Sequence, residues 1–300
     1  MCVSFKEGTM LTCTTEEIVQ ATRAYVCNHA DITSISGTTI DSRNVVSQGM
    51  FVAFRGERTD GNLYADSAIG AGASCVVLTC EASQGLIQLA HEHNCLLLRA
   101  AHDDAQEFLL ELASFWREKN PSWTVVGVTG SCGKTTTKDM LIATLSTTFR
   151  TYGTKANHNN LIGLPLTILN TPSDAEVIVA EMGMNHEGEI SRMALVAKPT
   201  IAVITNIGTS HLGLLGSRKA IAQAKAEIIA PMCSQQSRQL KPELILYDSD
   251  DFTTFITEAY AQPADVLVSC VGEKSSSSIH VTKIDLNELG KACAHVVCSD

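Results

Sequence analysis

The chain has 300 residues, of which 45% are hydrophobic, and its formal net charge is −10 at pH 7. This length exceeds one average domain and predicts two, while an acidic chain without a long basic run argues against nucleic acid as the main ligand. The sequence has no basic-then-apolar signal pattern and no window of about 18 uninterrupted apolar residues. We therefore expect a soluble, cytoplasmic protein without a membrane partner.

Residues 1–100 alternate short β-rich runs with turns and helical patterns, which predicts a small α/β domain. Thr14 or Thr15 would cap a helix that continues to about Ala24. The other elements predicted in this segment are strands at 49–54, 74–78 and 95–98, a helix at 64–71 and a helix between the last two strands.

A helical pattern with an apolar stripe then extends from Ala101 to Lys119. The pair Asn120-Pro121 ends it, because the residue before a proline disfavours helical geometry. We place the domain junction there, so that residues 101–121 form a linking helix and residues 122–300 form a second domain.

The second domain repeats a strand–loop–helix pattern. Its predicted strands lie at 124–128, 176–180, 201–205 and 244–247, and its helices at 134–146, 188–196 and 218–229. Valine- and isoleucine-rich strands that alternate with helices predict a parallel sheet covered by helices on both faces. The pattern weakens after about residue 252, where we expect a strand at 266–271, a polar loop at 274–278 and edge strands at 281–284 and 294–298.

The stretch from Val125 to Lys138 consists of an apolar strand, a glycine-rich turn, a lysine and a run of threonines that opens a helix. Glycines let backbone N–H groups approach phosphate oxygens, and the helix N-terminus attracts an anion. Lys134 supplies a cation and Thr135 a hydroxyl for Mg²⁺. Because Val128 stands where the first glycine of G-x-x-x-x-G-K-[ST] belongs, this polyphosphate site is a variant of that motif.

Polar residues follow the predicted strands at the edge where open parallel sheets bind ligands. Glu181 follows the strand 176–180, where a carboxylate can bind Mg²⁺ opposite Thr135 or merely cap a helix. Asn206 and His211 lie in a glycine-containing loop after the next strand, and a metal or phosphate role is expected for His211.

Lys225 lies in a helical segment, A-Q-A-K-A-E. Periodicity alone favours an exposed lysine paired with its neighbours.

Eleven cysteines are scattered along the chain without a C-x-x-C pair. This spacing supports neither a disulfide scaffold nor a zinc site. We expect reduced, mostly buried cysteines that act as small hydrophobic side chains. Cys132 lies inside the glycine-rich loop, where we interpret it as a tolerated loop position rather than a catalytic thiol.

Five segments of the second domain resemble a known family, the Mur ligases of peptidoglycan synthesis. They are T-G-S-C-G-K-T-T-T-K (129–138), N-H-N-N-L-I-G-L-P-L-T (157–167), E-M-G-M-N-H-E-G-E-I (181–190), I-T-N-I-G-T-S-H-L (204–212) and A-K-A-E-I (224–228). In the first domain, Asp41-Ser42-Arg43, followed by Gly49-Met50-Phe51-Val52-Ala53 and by Gly56 through Asp60-Gly61, resembles the family's UDP-sugar-binding segment. Within the family, the third segment is most similar to the members that add D-alanyl-D-alanine.

The resemblance implies a fold and a reaction. A small N-terminal α/β domain, residues 1–100, would bind the UDP-muramoyl substrate, and a P-loop-type ATPase domain, residues 122–300, would follow. The reaction would be ATP-dependent amide-bond formation between UDP-N-acetylmuramoyl-tripeptide and D-alanyl-D-alanine, through an acyl phosphate, by a cytoplasmic, monomeric enzyme.

The resemblance also implies roles for single residues. Lys134 would contact the β- and γ-phosphates, Thr135 and Glu181 would hold a first Mg²⁺, and His211 would help to hold a second. Lys225 would be carbamylated by CO₂ into a carboxylate-like metal ligand. The ATP contacts implied are Thr129, Gly130, Ser131, Cys132, Gly133, Lys134, Thr135, Thr136 and Asn206, and the substrate contacts are Ser42, Arg43, Asn159 and Asn160.

The chain departs from the family in three ways. Asp248 stands where the family's N-x-D-D segment has asparagine, so we discount a nucleotide contact there, and Leu161 stands where a polar residue is common. No segment resembles the third domain, which binds the incoming amino component, so the chain is expected to cover two of three domains. Two alternatives stay open: another Mur-type ligase, tripeptide-forming or amidating, or a truncated ATP-binding module without turnover of its own.

Overall fold

The computed structural model describes residues 11–56, 59–232, 241–274, 276–286, 288 and 292–298. The chain divides into two units. The first unit contains the chain up to Asn120 together with Leu161–Ala175, and the second contains Pro121–Asn160 and the chain from Glu176 onward. No helix among the described residues is long and apolar enough to cross a membrane.

The elements up to Asn120 alternate helices and short strands. They are α1 (Thr15–Thr22), β1 (Tyr25–Asn28), β2 (Thr38–Thr39), β3 (Met50–Val52), α2 (Ala65–Gly70), β4 (Cys75–Leu78), α3 (Gln84–Glu92), β5 (Leu96–Arg99) and α4 (Ala105–Lys119), with short 3₁₀ turns at Ser42–Asn44, Gly61–Tyr64 and Ala101–Asp103.

The remaining elements continue the alternation. They are β6 (Thr124–Thr129), α5 (Lys134–Leu145), β7 (Thr151–Gly153), α6 (Gly163–Leu169), β8 (Val177–Glu181), α7 (Glu189–Ala197), β9 (Ile201–Ile204), α8 (Leu212–Leu215), α9 (Arg218–Ala226), β10 (Glu243–Tyr247), α10 (Thr253–Ile256), β11 (Leu267–Gly272), β12 (Ile279–Leu286) and β13 (Ala292–Cys298). A π-helical turn, Thr257–Ala261, directly follows α10.

The first unit is built on a five-stranded sheet in the order β1-β5-β4-β3-β2. Strands β2 to β5 are parallel, and β1 runs antiparallel to β5. The core includes the fully buried Phe51, Ile69, Val76 and Leu97. This small α/β architecture agrees with the prediction from the sequence.

Helix α4 starts later than predicted and belongs to the first unit rather than linking two domains. It begins at Ala105 because Asp104 is its N-cap, with the carboxylate accepting the N–H groups of Gln106 and Glu107. Residues 101–103 form a 3₁₀ turn instead. The last turn ends at Lys119, as predicted from Asn120-Pro121.

Residues 161–175, predicted to lie in the second domain, pack with the first unit. The indole N–H of Trp116 on α4 donates to the Thr171 carbonyl at 3.2 Å. At the end of α6, the Asn170 amide accepts the Thr38 N–H at 2.8 Å and donates to the Thr38 carbonyl at 2.8 Å. Asn170 therefore pairs with edge strand β2 as another strand would. Sequence periodicity could not reveal this pairing, because the partners are 132 residues apart.

The second unit is built on an eight-stranded sheet in the order β13-β12-β11-β10-β9-β6-β8-β7. All of its paired strands are parallel except the antiparallel pair β12–β13. Every residue of the central strands β6 and β8 is buried. Because successive side chains point to opposite faces of a sheet, both faces must be covered. The predicted α/β fold with a mostly parallel sheet is therefore confirmed.

The described cysteines are all free, but they are less buried than expected. Only Cys13, Cys75 and Cys95 are buried, and Cys293 and Cys298 are exposed because they lie on the edge strand β13. Cys2, Cys233 and residue 275 of the predicted polar loop lie outside the described residues.

Replacement of Asn170 by alanine is expected to destabilise the protein by about 1–3 kcal/mol, because the backbone N–H and carbonyl of the buried Thr38 lose their partner. Urea unfolding followed by tryptophan fluorescence measures the change, since Trp116 contacts the neighbouring Thr171. Asn44→Ala is the control, because the Asn44 side chain is exposed and makes only a 3.4 Å contact, to Asp41. Equal stability of the two variants would contradict the prediction.

Candidate functional site

The glycine-rich loop follows β6 and bends where only glycine is tolerated. Gly130 has φ +147°, and a Cβ there would lie 1.8 Å from the Thr205 hydroxyl oxygen. Gly133, at φ +84°, is the N-cap of α5 and provides no side-chain cap. The first N–H groups of α5 therefore stay available for an anion. Lys134 lies at the start of the helix, and its ammonium donates to the Gly130 carbonyl at 2.8 Å.

The loop after β9 holds the glycine-rich loop in shape. The Asn206 side chain accepts the Cys132 N–H at 3.0 Å and donates to the Cys132 carbonyl at 3.2 Å. The Thr205 hydroxyl donates to the same carbonyl at 2.5 Å, and the Ser131 N–H donates to the Asn206 carbonyl at 3.0 Å. In Asn206, implied as an ATP contact, both the oxygen and the nitrogen of the side-chain amide therefore bond to the backbone of the glycine-rich loop.

Ser131 and its neighbours extend this network. The Ser131 hydroxyl accepts the Gly208 N–H at 2.8 Å, and the Ser131 carbonyl accepts the Ser210 hydroxyl at 3.0 Å. Thr129 is fully buried at the end of β6, whereas Thr136 is exposed on the first turn of α5. Of the side chains implied as ATP contacts, those of Cys132, Thr135 and Thr136 are exposed on the loop and at the helix start.

Glu181 ends β8 and is only 1% exposed. Its Oε1 accepts the Thr135 hydroxyl at 3.2 Å and the Asn159 amide at 2.8 Å. Its Oε2 is buried and has no hydrogen-bond partner among the described residues. Burial of an unpaired carboxylate oxygen is costly, and a Mg²⁺ ion prefers oxygen ligands. These residues therefore fit a cation at Oε2 and the Thr135 hydroxyl.

Within the described ranges, no group of three or more His, Cys, Asp or Glu side chains is arranged so that it could hold a metal ion. The protein can thus supply only part of a cation's coordination sphere at Glu181. Mg²⁺ is usually held in this way in nucleotide sites, by one or two protein ligands together with phosphates and water.

Lys138 and Thr154 support Glu181 but were not predicted from the sequence. The Thr154 hydroxyl accepts the Glu181 N–H at 3.0 Å, and the Thr154 carbonyl accepts the buried Lys138 ammonium at 3.0 Å. Lys138 lies one helical turn after Lys134, and this spacing in the sequence could have indicated that the two side chains share a face of α5. Thr154 follows β7, and only the pairing of β7 with β8 brings it to Glu181.

The structure corrects the interpretation of Lys225 as an exposed helical lysine, because Lys225 is 1% exposed on α9. Burial and the nearby Lys134 ammonium lower its pKa to about 8. No described residue accepts a hydrogen bond from the Lys225 ammonium. His211 is the N-cap of α8 at φ +66°. Its pKa is lowered by burial first, then by Lys225 and Lys134. Lys134, His211 and Lys225 therefore lie within electrostatic range of one another.

The implied substrate residues are distributed over both units. Asn159, in the second unit, donates to Glu181 and accepts the Gly183 N–H at 2.7 Å, so it belongs to the carboxylate site. Asn160 is exposed beside it in the chain.

In the first unit, Ser42 and Arg43 lie in the 3₁₀ turn that Asp41 caps. The exposed Arg43 guanidinium donates to both carboxylate oxygens of Asp41, at 2.9 and 2.7 Å. These bonds lower the pKa of Asp41 to about 2.

Asp248, which departs from the family pattern, is buried and satisfied by the protein. Its carboxylate accepts the hydroxyls of Ser249 and Ser277 at 2.6 Å each and the Lys274 N–H at 2.7 Å. Burial raises the pKa of Asp248, but the donors outweigh it and lower the pKa to about 2. A carboxylate held in this way has little capacity left for a nucleotide.

A glycine-rich loop between a central strand and a helix, with a buried carboxylate at the end of the adjacent parallel strand, defines a P-loop-type nucleotide-binding protein. Comparison with models of known protein families narrows this class to one family. Residues 128–297 match the family model "Mur ligase middle domain", and residues 34–117 match "Mur ligase family, catalytic domain". The chain belongs to the Mur ligase family.

Two of the relatives that this chain resembles are both named UDP-N-acetylmuramoyl-tripeptide–D-alanyl-D-alanine ligase. The Bacillus subtilis protein is 39% identical over 73% of this chain and 46% of its own length. The Escherichia coli K12 protein is 35% identical over 67% of this chain and 42% of its own length. The chain therefore spans about half the length of the curated relatives it matches.

Solved structures of MurF proteins have a similar fold. A structure of MurF from Acinetobacter baumannii superimposes with a TM-score of 0.77 at 32% identity, covering 92% of this chain and 56% of that one. The MurF ligase of Thermotoga maritima in complex with ADP gives a TM-score of 0.71 at 27% identity, covering 87% of this chain and 55% of that one.

Gly130→Ala is expected to remove ADP binding, because the new methyl group collides with Thr205 in the strand-loop pair that shapes the phosphate site. Gly72→Ala is the matched control: Gly72 also has positive φ, +95°, but the nearest atom lies 3.6 Å from its added Cβ, an ordinary contact. The control should cost only about 1–2 kcal/mol of stability and keep ADP affinity. Calorimetric titration with ADP measures both, and wild-type affinity in Gly130→Ala would contradict the prediction.

Proposed function

We propose that this chain forms the UDP-substrate-binding and ATP-binding parts of a ligase that adds D-alanyl-D-alanine to UDP-N-acetylmuramoyl-tripeptide. The observation that carries the proposal is Glu181, a buried carboxylate with one unpartnered oxygen, joined to Thr135 at the start of the phosphate-loop helix. The names of the relatives give the reaction. Both units carry a family match, since residues 34–117 and 128–297 each match a family model.

The proposed reaction has two steps. The terminal carboxylate of the tripeptide attacks the γ-phosphorus of ATP, an acyl phosphate forms, and ADP leaves. The amine of D-alanyl-D-alanine then attacks the acyl carbon, an amide forms, and phosphate leaves while the nitrogen loses a proton. Anions must approach one another in the first step, so fixed positive charge lowers its barrier. Lys134 and the N–H groups at the start of α5 supply that charge.

Thr135 and Glu181 would hold a first Mg²⁺, and His211 with a carbamylated Lys225 would help to hold a second. When bound, these ions would neutralise the phosphate oxygens. The lowered pKa of His211 favours the neutral imidazole, which is the form that ligates metals. The unpartnered Oε2 of Glu181 supports the first site.

Carbamylation of Lys225 follows from its surroundings. A neutral amine adds to the carbon of CO₂, an N–C bond forms, and one proton is released. With a pKa of about 8, roughly a quarter of the Lys225 side chains are neutral at pH 7.5, against about 0.1% for an ordinary lysine. The product replaces an ammonium near Lys134 with an anion, which removes the repulsion that, after burial, lowers the pKa of Lys225.

For the UDP-substrate, we propose that Ser42 and Arg43 bind the diphosphate. Arg43 would exchange its two bonds to Asp41 for bonds to phosphate oxygens, whose geometry suits the same fork of donors. Asn159 and Asn160 are proposed to bind the muramoyl-peptide part, with Asn159 keeping its bond to Glu181. We also propose that the protein is a monomer.

Phosphate release tests the function. The protein encoded by the complete gene should release phosphate from ATP only when UDP-N-acetylmuramoyl-tripeptide and D-alanyl-D-alanine are both present. Release with a UDP-muramoyl-dipeptide and a single amino acid, or with ammonia, would favour another Mur-type ligase. Coverage of about half of its relatives favours a second candidate for the 300-residue chain alone, a binding module. That module would bind ADP and UDP-substrate without any phosphate release.

Lys134→Ala and Glu181→Ala are each expected to lower phosphate release by the complete protein by about 10³-fold or more, because charge neutralisation at the γ-phosphate is lost. Lys241→Ala is the control for the first variant, since Lys241 is exposed in the same unit. Glu258→Ala, also exposed, is the control for the second. Unchanged turnover in Lys134→Ala or Glu181→Ala would overturn the assignment.

The carbamate on Lys225 should depend on pH. Below the pKa of about 8 the side chain is an ammonium that cannot add CO₂, so carbamate should fall as pH drops from 8.5 to 6.5. Carbon-13 NMR with labelled bicarbonate measures the carbamate signal, which Lys225→Ala should lack. That variant should lose activity that bicarbonate cannot restore and short carboxylic acids partly restore. A labelled signal of equal size in Lys225→Ala would refute carbamylation at this residue.

A further inference from the structure

Helix α7 begins without a side-chain cap of its own. Its N-cap is Gly188, which has no side chain. The first-turn carboxylate of Glu189 turns back along the chain, where it accepts the N–H groups of Asn185 at 2.6 Å and His186 at 3.3 Å. Glu189 thus folds the preceding loop and leaves the first N–H groups of the helix to another acceptor.

Glu227 supplies that acceptor from a distant part of the chain. Its Oε1 accepts the Gly188 N–H at 2.8 Å, and its Oε2 accepts the Ser191 N–H at 3.0 Å. Both carboxylate oxygens are therefore used, on donors 39 and 36 residues away. Charge-assisted bonds to the start of a helix are stronger than neutral ones, because the helix dipole adds to them.

Glu227 connects the two chain segments that carry the buried side chains of Lys225 and Glu181. Glu227 follows the last residue of α9 and lies two residues after Lys225. The helix that it caps is reached from Glu181 through the loop 182–188. The Glu227 carboxylate therefore hydrogen-bonds the segment that follows Lys225 to the start of the helix that follows Glu181 in the chain.

We propose that Glu227 is a positioning residue that sets the spacing between Glu181 and Lys225 for metal binding. The inference rests on the proposed function, in which those two residues hold the cations. Glu227 itself acts only through the backbone of α7. Its removal would free the end of α9 from the loop after Glu181, and the two metal-binding side chains would no longer be held at one separation.

The test measures ADP affinity of the 300-residue chain by calorimetry, once with Mn²⁺ and bicarbonate and once with EDTA. The ratio of the two affinities isolates the metal-dependent part of binding. In Glu227→Ala this ratio should fall about tenfold, while the affinity in EDTA stays unchanged because the phosphate loop is intact. Glu227→Gln should lie between the two, since its amide oxygen can still accept one N–H group.

Glu187→Gln is the matched control. Glu187 is exposed in the same loop and makes no hydrogen bond among the described residues, so its ratio should equal that of the wild type. A wild-type ratio in Glu227→Ala overturns the inference, as does a parallel loss of affinity with and without metal, which indicates a purely structural cap. If Glu227→Ala does not fold, Glu227→Gln decides by the same criteria. Absence of any metal-dependent ADP binding in the wild type would instead overturn the proposed function.

Discussion

A buried carboxylate oxygen without a partner is the constraint on which the site depends. Glu181 is 1% exposed, and only one of its two oxygens is satisfied by the described residues. Because a buried polar atom without a partner is costly, this oxygen needs a partner that the described residues do not supply. The hydroxyl of Thr135 beside Glu181, at the start of α5, favours a cation as that partner. The strand end, the phosphate loop and the helix therefore form one site.

Positive charge is concentrated at the same place. Burial and then the Lys134 ammonium lower the pKa of Lys225 to about 8, and burial followed by Lys225 and Lys134 lowers the pKa of His211. A folded protein keeps such repulsion only when something compensates it, and a polyphosphate with metal ions does so. Carbamylation would relieve the same strain by a covalent route.

Much of the site's geometry is fixed by residues that do not face the nucleotide. Asn206 clamps the phosphate loop through Cys132, and Thr154 holds the backbone of Glu181 while Lys138 holds Thr154. Such supporting contacts keep reacting groups in place at little cost during the reaction. Their dense network in the second unit contrasts with Arg43 in the first, whose guanidinium is exposed and bonded to its neighbour Asp41.

The sequence by itself determined the α/β class, most strands of the parallel sheet and the phosphate loop, because these depend on local periodicity and on glycines at fixed spacing. It also pointed to Glu181 and His211, since parallel strands place the residues after them at one edge of the sheet. Tertiary structure alone decided that Lys225 is buried, that residues 161–175 pack with the first unit, and that Glu227 caps α7. Each of these depends on contacts between residues far apart in the chain, which no local pattern encodes.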